Sequence, residues 1–190
     1  MNACTVYCGS RVGAHPDYLD AASRLGKGLA VRGITLVYGG GNVGLMGALA
    51  EAALAAGGCV HGVMPRKLVD REVAHTGLTR LDVVETMHER KQRMIDQGDA
   101  YIALPGGIGT LEEIMEVLSW RNIGYFHKPV AFLNVRGIYD GLLEALSVLM
   151  REGFIDPDWL GAIVVEQDPD CLLDRLVSDP FPGRSENAPV

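Results

Sequence analysis

Short apolar runs alternate with stretches of helical periodicity along almost the whole of this 190-residue chain. Alternation of this kind is typical of a parallel α/β sheet. Strands are predicted at residues 3–8, 34–38, 59–64, 82–85, 100–104, 130–133 and 162–165. Helices are predicted at residues 16–31, 43–56, 87–97, 111–122, 138–151 and 169–177. Because runs such as YIAL at residues 101–104 are apolar on both faces, helices should cover both sides of the sheet.

Length and composition indicate one globular domain, since the hydrophobic share of 48% and the charged share of 22% are ordinary for such a domain. The domain is predicted to span residues 1–178, and the proline-containing stretch 179–190 is predicted to be a disordered tail. The longest stretch without Asp, Glu, Lys or Arg, residues 33–50, contains six glycines, so no membrane span is expected. Since residues 1–10 lack the pattern of a signal peptide, we expect a cytoplasmic protein.

The net charge of −7 is divided unevenly along the chain. Residues 1–93 carry 11 basic and 8 acidic side chains, whereas residues 94–190 carry 6 and 16, which disfavours a nonspecific nucleic-acid binder. Seven basic residues fall within residues 66–93, so this stretch either binds a small anionic ligand or forms a solvated charged face. The four cysteines are expected to be buried free thiols, and no spacing of His and Cys suggests a metal site.

Glycines cluster where two of the predicted strands end, and ligands of parallel sheets bind at such strand ends. The first turn, GGGNVG at residues 39–44, fits a GxGxxG pattern between a strand and a helix. Gly40 and Gly41 are therefore candidate phosphate-binding residues, and a tight turn without a ligand is the alternative. The next strand ends at Met64 without the carboxylate that would hold a ribose, so a NAD site is not expected.

The second glycine-rich turn reads PGGIGT at residues 105–110 and again precedes a predicted helix. Two such helix N-termini facing one crevice suggest a mononucleotide or a sugar phosphate, with Gly107, Gly109 and Thr110 as candidate phosphate ligands. Thr110 and Glu113 also fit a capping box, with Thr at the N-cap and Glu three residues later. Glu113 therefore has two open interpretations, as a helix cap or as a carboxylate beside the phosphate site.

The segment TMHERK at residues 86–91 begins another predicted helix with a capping box, formed by Thr86 and Glu89. Arg90 and Lys91 follow at once, and two cations this close to a helix N-terminus oppose the helix dipole unless an anion compensates them. This local conflict indicates a functional role. The alternative is that both cations face solvent or pair with neighbouring glutamates.

Taken together, MHERK at residues 87–91 and PGGIGTLEE at residues 105–113 resemble the paired MHxRK and PGGxGTxxE signatures of the Lonely Guy family. Members of this family are cytokinin riboside 5′-monophosphate phosphoribohydrolases. The resemblance continues from VYCGS at residues 6–10, through GGG at 39–41 and GLMG at 44–47, to GFI at 153–155.

The resemblance implies a Rossmann-like three-layer αβα fold with a parallel sheet of about seven strands. It also implies a homodimer that hydrolyses the N-glycosidic bond of an adenosine 5′-monophosphate, N6-modified or not, to free base and ribose 5-phosphate. No metal, redox cofactor, nucleic acid or membrane is implied. The family is often labelled as lysine decarboxylase, but the four lysines of this chain show no pyridoxal-phosphate motif, so that activity is not expected.

By the same resemblance, Arg90 and Glu113 match the catalytic pair. The positions that match substrate contacts are Glu72, Lys91, Gly107, Ile108, Gly109, Thr110, Leu111, Glu112 and Ser119. The phosphate-binding candidates are Ser10, Gly40, Gly41, Gly107, Gly109 and Thr110. Ser119 stands where many relatives have Thr and keeps the hydroxyl group. Ile108 replaces an aromatic residue common in plant relatives, so the base preference is open.

Cleavage of a ribosyl N-glycosidic bond should develop positive charge on the sugar, by analogy with O-glycosides. The hypothesis is that Glu113 holds or deprotonates a water and stabilises that charge, while Arg90 fixes the carboxylate. Binding of the remote phosphate would orient the reacting bond. A carrier of a nucleotide or of molybdenum cofactor, without hydrolysis, is the alternative, and the joint presence of Arg90 and Glu113 favours the hydrolase.

Overall fold

A computed structural model describes residues 1–69, 74–157 and 163–178. In these residues seven parallel strands form one sheet. The strands are β1 (Ala3–Tyr7), β2 (Thr35–Tyr38), β3 (Val60–Pro65), β4 (Arg80–Val84), β5 (Ala100–Ala103), β6 (Val130–Leu133) and β7 (Ile163–Glu166). The helices are α1 (Pro16–Val31), α2 (Gly44–Ala55), α3 (Arg66–Val69), α4 (Met87–Gln97), α5 (Ile108–Asn122), α6 (Asp140–Arg151) and α7 (Pro169–Ser178), with a 3-10 turn at Val135–Gly137.

The strand order β4-β3-β2-β1-β5-β6-β7 places β1 in the middle of the sheet. The chain runs outward from β1 to β4, returns to the other side of β1 as β5, and then continues to β7. The order therefore reverses between β1 and β5, which pair from Cys4 with Ala100 to Tyr7 with Ala103. At such a reversal the connections leave in opposite directions and open a crevice beyond the strand ends.

Apolar side chains on both faces of the strands form two cores, because successive side chains of a strand point to opposite faces. Cys4 and Val6 of β1 belong to the first core, which α1, α2 and α7 cover. Tyr7 belongs to the second, which contains Met94 of α4 and Ile114 of α5. The predicted three-layer α/β fold with a parallel sheet is confirmed.

Most predicted elements lie within a few residues of the observed ones, and one difference changes an interpretation. Helix α5 begins at Ile108 with Gly107 as its N-cap, three residues before the predicted start. Thr110 is therefore inside the helix, and the capping-box interpretation of Thr110 and Glu113 is wrong. Thr86 is the N-cap of α4 as predicted, since Glu89 N–H donates to Thr86 Oγ1 at 3.1 Å. The capping box is only half formed, because the Glu89 carboxylate accepts from Glu85 N–H, at 3.0 Å, and not from Thr86 N–H.

Some predictions fall wholly or partly outside the described residues. The predicted tail, residues 179–190, is outside them, as is residue 162 at the start of the last predicted strand. Cys4 and Cys8 are buried free thiols as predicted, whereas Cys59 and Cys171 are exposed because they lie in a turn and on the outer side of α7. No helix in the described part of the chain has the length and apolar character that a membrane span requires.

Candidate active site

A cleft of about 640 Å³ lies at the carboxyl ends of β1 and β5, where the strand order reverses. Its walls come from the loop after β1, the start of α2, the turn after β5 and the first turns of α5, with Arg90 reaching in from α4. The site therefore forms where the topology of a doubly wound sheet predicts a ligand.

Hydrogen bonds of Gly9 hold the loop after β1 in place. Gly9 N–H donates to Pro105 O at 3.1 Å, which joins this loop to the second glycine-rich turn. Gly9 O accepts from the N–H groups of Leu45 and Met46, at 3.2 and 3.3 Å, which joins it to the start of α2. The fixed backbone places Ser10, the next residue, in the wall of the cleft.

The N-terminus of α5 opens directly into the cleft. Its N-cap is Gly107, and no side chain of the described residues caps the helix there. The N–H groups of Ile108, Gly109 and Thr110 belong to the first turn, which has no acceptors within the helix. Such a turn carries a partial positive charge and binds anions, so this wall suits a phosphate group.

Arg90 and Glu113 form an ion pair in the cleft wall. Arg90 Nη1 lies 3.1 Å from Glu113 Oε1, and the two side chains are only 11% and 10% exposed. Arg90 Nε donates to Val63 O at 3.1 Å, so β3 also fixes the guanidinium. A Cβ at Gly39 would collide with Arg90 Nη2, so the glycine at this position makes room for the arginine.

Burial raises the pKa of the Glu113 carboxyl, and the positive charge of Arg90 opposes this rise. Tyr7 lies in the same surroundings, and burial followed by the charge of Glu113 raises the pKa of its hydroxyl. Burial likewise raises the pKa of the Cys8 thiol. Glu113 is therefore a carboxylate in a poorly solvated wall, a setting that makes a carboxylate more basic.

Lys91 and Glu112 pair with each other outside the cleft wall. Lys91 Nζ donates to Glu112 Oε1 and also to Glu116 Oε1, the latter at 3.1 Å. The hydrogen bond to Glu112 is the largest cause of the raised pKa of Lys91. Glu116 Oε2 is buried and has no hydrogen-bond partner in the described part of the structure. These contacts join α4 to α5 directly behind the pair of Arg90 and Glu113.

The structure brings half of the predicted site residues into one place. The cleft wall contains Ser10, Arg90, Gly107, Ile108, Gly109, Thr110 and Glu113. The predicted residues outside it are Gly40, Gly41, Lys91, Leu111, Glu112 and Ser119. Glu72 lies outside the described residues. Ser119 is exposed on α5, almost two helical turns beyond Glu113.

Sequence reasoning missed three groups of cleft residues: Arg11 to Gly13, Tyr18 and Ile138. The position of Arg11 in the cleft could have been predicted from the sequence, because Arg11 follows the end of strand β1 and ligand-binding crevices lie beyond such strand ends. No sequence pattern indicated that Tyr18 and Ile138 line the cleft, since Tyr18 comes from α1 and Ile138 from the chain after β6. Among the described residues, no group of three His, Cys, Asp or Glu side chains is placed to hold a metal ion.

The fold is that of a Rossmann-like three-layer α/β protein, with a cleft where the strand order reverses. A family model described as "Possible lysine decarboxylase" matches residues 46–176. The probable cytokinin riboside 5′-monophosphate phosphoribohydrolase LOGL6 of Oryza sativa subsp. japonica is 46% identical over 171 residues, 90% of this chain and 68% of that protein. The cytokinin riboside 5′-monophosphate phosphoribohydrolase LOG7 of Arabidopsis thaliana is 48% identical over 152 residues, 80% of this chain and 70% of that protein.

Solved structures of similar fold carry a different name. The molybdenum cofactor binding protein of Rippkaea orientalis has a TM-score of 0.72 and 25% identity, and the match covers 93% of this chain and 96% of that one. The molybdenum cofactor carrier protein of Chlamydomonas reinhardtii has a TM-score of 0.72 at 20% identity, covering 94% and 99%, and shows the fold alone. The sequence comparisons are far stronger than these, and the chain belongs to the Lonely Guy family, to which the family model and the plant relatives point.

Proposed function

We propose that this protein hydrolyses the N-glycosidic bond of a nucleoside 5′-monophosphate, releasing the free base and ribose 5-phosphate. The observation that carries the proposal is the pair of Arg90 and Glu113 in the wall of a cleft that opens on the N-terminus of α5. Relatives that are 46% and 48% identical are named as phosphoribohydrolases of cytokinin riboside 5′-monophosphate, which supports the same reaction here.

In this proposal the phosphate binds at the start of α5. The N–H groups from Gly107 to Thr110 and the hydroxyl groups of Ser10 and Thr110 surround the position where an anion would bind. Binding energy from the phosphate would hold the ribose against Glu113, so that remote contacts orient the reacting bond. A nucleoside without the phosphate should therefore react slowly.

Glu113 acts on the water in the proposed reaction. The water oxygen bonds to the anomeric carbon, the bond from that carbon to the base nitrogen breaks, and its electron pair leaves with the base. Glu113 accepts one proton of the attacking water and later returns it to solvent, while the base, which leaves as an anion, takes up a proton from solvent. The negative charge of Glu113 stabilises the positive sugar in the transition state. Arg90 holds the carboxylate in position through the 3.1 Å ion pair.

The base is proposed to be adenine or an N6-modified adenine, which would make the product a cytokinin. Apolar side chains line the cleft beside the N-terminus of α5, and Val12, Tyr18 and Ile138 suit a flat aromatic base. Ile108 also lines the cleft and is 82% exposed, so a further wall could cover it. Lys91, Leu111, Glu112 and Ser119 stay predicted contacts of the substrate. Gly40 and Gly41 lie outside the cleft wall, so the phosphate is not assigned to them.

The proposal also includes a cytoplasmic homodimer built from one nucleotide-binding domain at residues 1–178. Large apolar side chains are exposed near the C-terminal end of α5, among them Ile123 and Tyr125, as expected of surfaces that a second subunit covers. Sedimentation velocity at micromolar concentration should give one species of about twice the chain mass. A monomer at that concentration would remove this part of the proposal.

The reaction is tested by incubating the protein with AMP and with N6-isopentenyl-AMP, and by measuring free base and ribose 5-phosphate by chromatography. We expect equal amounts of the two products and little product from adenosine. Nucleotide binding without base release would instead favour a binding or carrier protein, and the Rippkaea orientalis protein is named as a molybdenum cofactor binding protein. A mock purification from cells without the expressed protein is the control for contaminating hydrolases.

A further inference from the structure

Arg11 differs from the other arginines of the described chain in having no protein partner. Nine of the eleven arginines in residues 1–69, 74–157 and 163–178 form an ion pair with a carboxylate. Arg121 also interacts with the protein. Arg11 is exposed, lines the cleft and makes no hydrogen bond or ion pair through its side chain within the described residues.

The backbone that carries Arg11 is fixed, so this free guanidinium is not at the end of a loose loop. Two residues earlier, Gly9 is bonded to Pro105 and to the first turn of α2. At the other side of the loop, Gly44 packs so closely that a Cβ there would lie 2.5 Å from Arg11 N. Arg11 therefore lines the cleft from a backbone that is already ordered.

No negative charge in the cleft wall balances the positive charge of Arg11. The charged side chains in that wall are Arg11, Arg90 and Glu113, and Arg90 is already paired with Glu113. One positive charge remains, beside a helix N-terminus that also favours anions. A phosphate monoester carries between one and two negative charges at neutral pH, and a guanidinium binds it through two parallel hydrogen bonds.

We propose that Arg11 recognises the 5′-phosphate of the substrate and thereby restricts the enzyme to phosphorylated nucleosides. This inference rests on the proposed function, because it assigns a ligand group to the same cleft. Arg11 is a specificity residue in this account and takes no part in bond cleavage, which belongs to Arg90 and Glu113.

The test measures kcat and KM for AMP in Arg11→Met and Arg11→Lys. Charge-assisted hydrogen bonds of this kind correspond to about 10- to 100-fold in affinity. We expect Arg11→Met to raise KM by about that factor while kcat changes less than about 3-fold, and Arg11→Lys to restore part of the loss. Arg136→Met is the matched control, since Arg136 is half-exposed near the same rim but pairs with Asp17, and it should change KM less than about 2-fold.

A second readout separates this inference from the proposed function. Calorimetry with ribose 5-phosphate should show binding to the wild-type protein that weakens in Arg11→Met by the same factor as KM rises. If the wild type does not cleave AMP, the proposed function fails, and this titration still decides the role of Arg11. The inference would be overturned if Arg11→Met left both the KM for AMP and the affinity for ribose 5-phosphate unchanged. It would also be overturned if Arg11→Met lowered only kcat, or if the wild-type protein did not bind ribose 5-phosphate.

Discussion

The two glycine-rich turns look alike in sequence and differ in what occupies them. In the first, residues 39–44, Gly40 O accepts from His75 N–H at 3.1 Å, and the helix that follows donates its early N–H groups to Gly9 O. The N–H groups of Leu45 and Met46, two donors that a phosphate would need, are therefore used by the protein itself. In the second, the first turn of α5 faces an open cleft, and Gly107 and Gly109 line it.

Two glycines of the second turn show the same difference from Gly44, whereas Gly106 is packed, since a Cβ there would collide with the Thr110 side chain. A Cβ at Gly44 would collide with the Ser10 carbonyl, and Gly44 has a φ of +62°, which disfavours other residues. A Cβ at Gly107 or Gly109 would meet nothing within 4 Å. A GxGxxG pattern thus indicates that another group of atoms lies close to the glycine backbone. That group can belong to the protein or to a ligand.

The largest expected effect concerns the helix that follows the second turn. Glu113→Gln keeps the shape of the side chain but removes the base, so kcat for AMP should fall at least about 100-fold. Glu51→Gln is the matched control, because Glu51 is an exposed carboxylate on α2, the helix after the first turn. Steady-state assays of base release measure both. A Glu113→Gln enzyme with more than half of the wild-type kcat would contradict the assigned role.

The first turn should affect catalysis only through Arg90. The methyl group of Gly39→Ala would displace the flexible end of Arg90 and so disturb its 3.1 Å contact with Glu113. We expect kcat to fall about 10-fold, with little loss of stability, since a misplaced catalytic group costs this much or more. Gly141→Ala, which meets nothing within 4 Å, is the control for an added methyl group. Wild-type kcat in Gly39→Ala would show that the turn does not hold Arg90.

Stability should separate the two turns most plainly. Gly44→Ala forces a methyl group against backbone at positive φ and should lower the free energy of unfolding by about 2 kcal/mol or more. Gly109→Ala adds a methyl group in open space within a helix and should leave stability unchanged or raise it by up to about 1 kcal/mol. Urea denaturation of both variants gives the comparison. Equal losses would mean that the second turn is packed like the first.

The smallest effect is a pH dependence of stability at the second turn. Burial raises the folded-state pKa of Glu113, so the folded protein binds its proton more tightly than the unfolded chain does. The corresponding stability is complete below the unfolded pKa and is lost as pH rises through the folded pKa. The free energy of unfolding of Glu113→Gln, relative to wild type, should therefore increase as the pH rises above about 4, the ordinary pKa of a Glu carboxyl. A difference that is flat or falls over this range would contradict the buried setting of the carboxylate.

The fold was predictable from the sequence because the apolar runs and the helical periods both point to a parallel sheet. Strand β6 and helices α1 and α4 have the predicted bounds. Helix α5 began earlier than predicted because Gly107 and Gly109 suggest a turn, and the cost of glycine in a helix, about 1 kcal/mol, is small beside the packing of Ile114 and Val117.

The site was only partly predictable, because its key contacts join distant parts of the chain. The conflict of two cations at the start of α4 predicted that anions compensate them, and Arg90 and Lys91 do pair with the carboxylates of Glu113 and Glu112. Its partner Glu113 lies 23 positions later on another helix, and the pairing of Lys91 with Glu112 spans 21 positions. Neither pairing can be predicted from local sequence, since the order of the strands decides which helices are neighbours.

The most direct test of the account is a crystal structure of Glu113→Gln with AMP bound. We expect the phosphate on the N–H groups at the start of α5, near Arg11, and the anomeric carbon of the ribose beside residue 113. A phosphate on the turn at residues 39–44, or a ribose turned away from residue 113, would contradict the account.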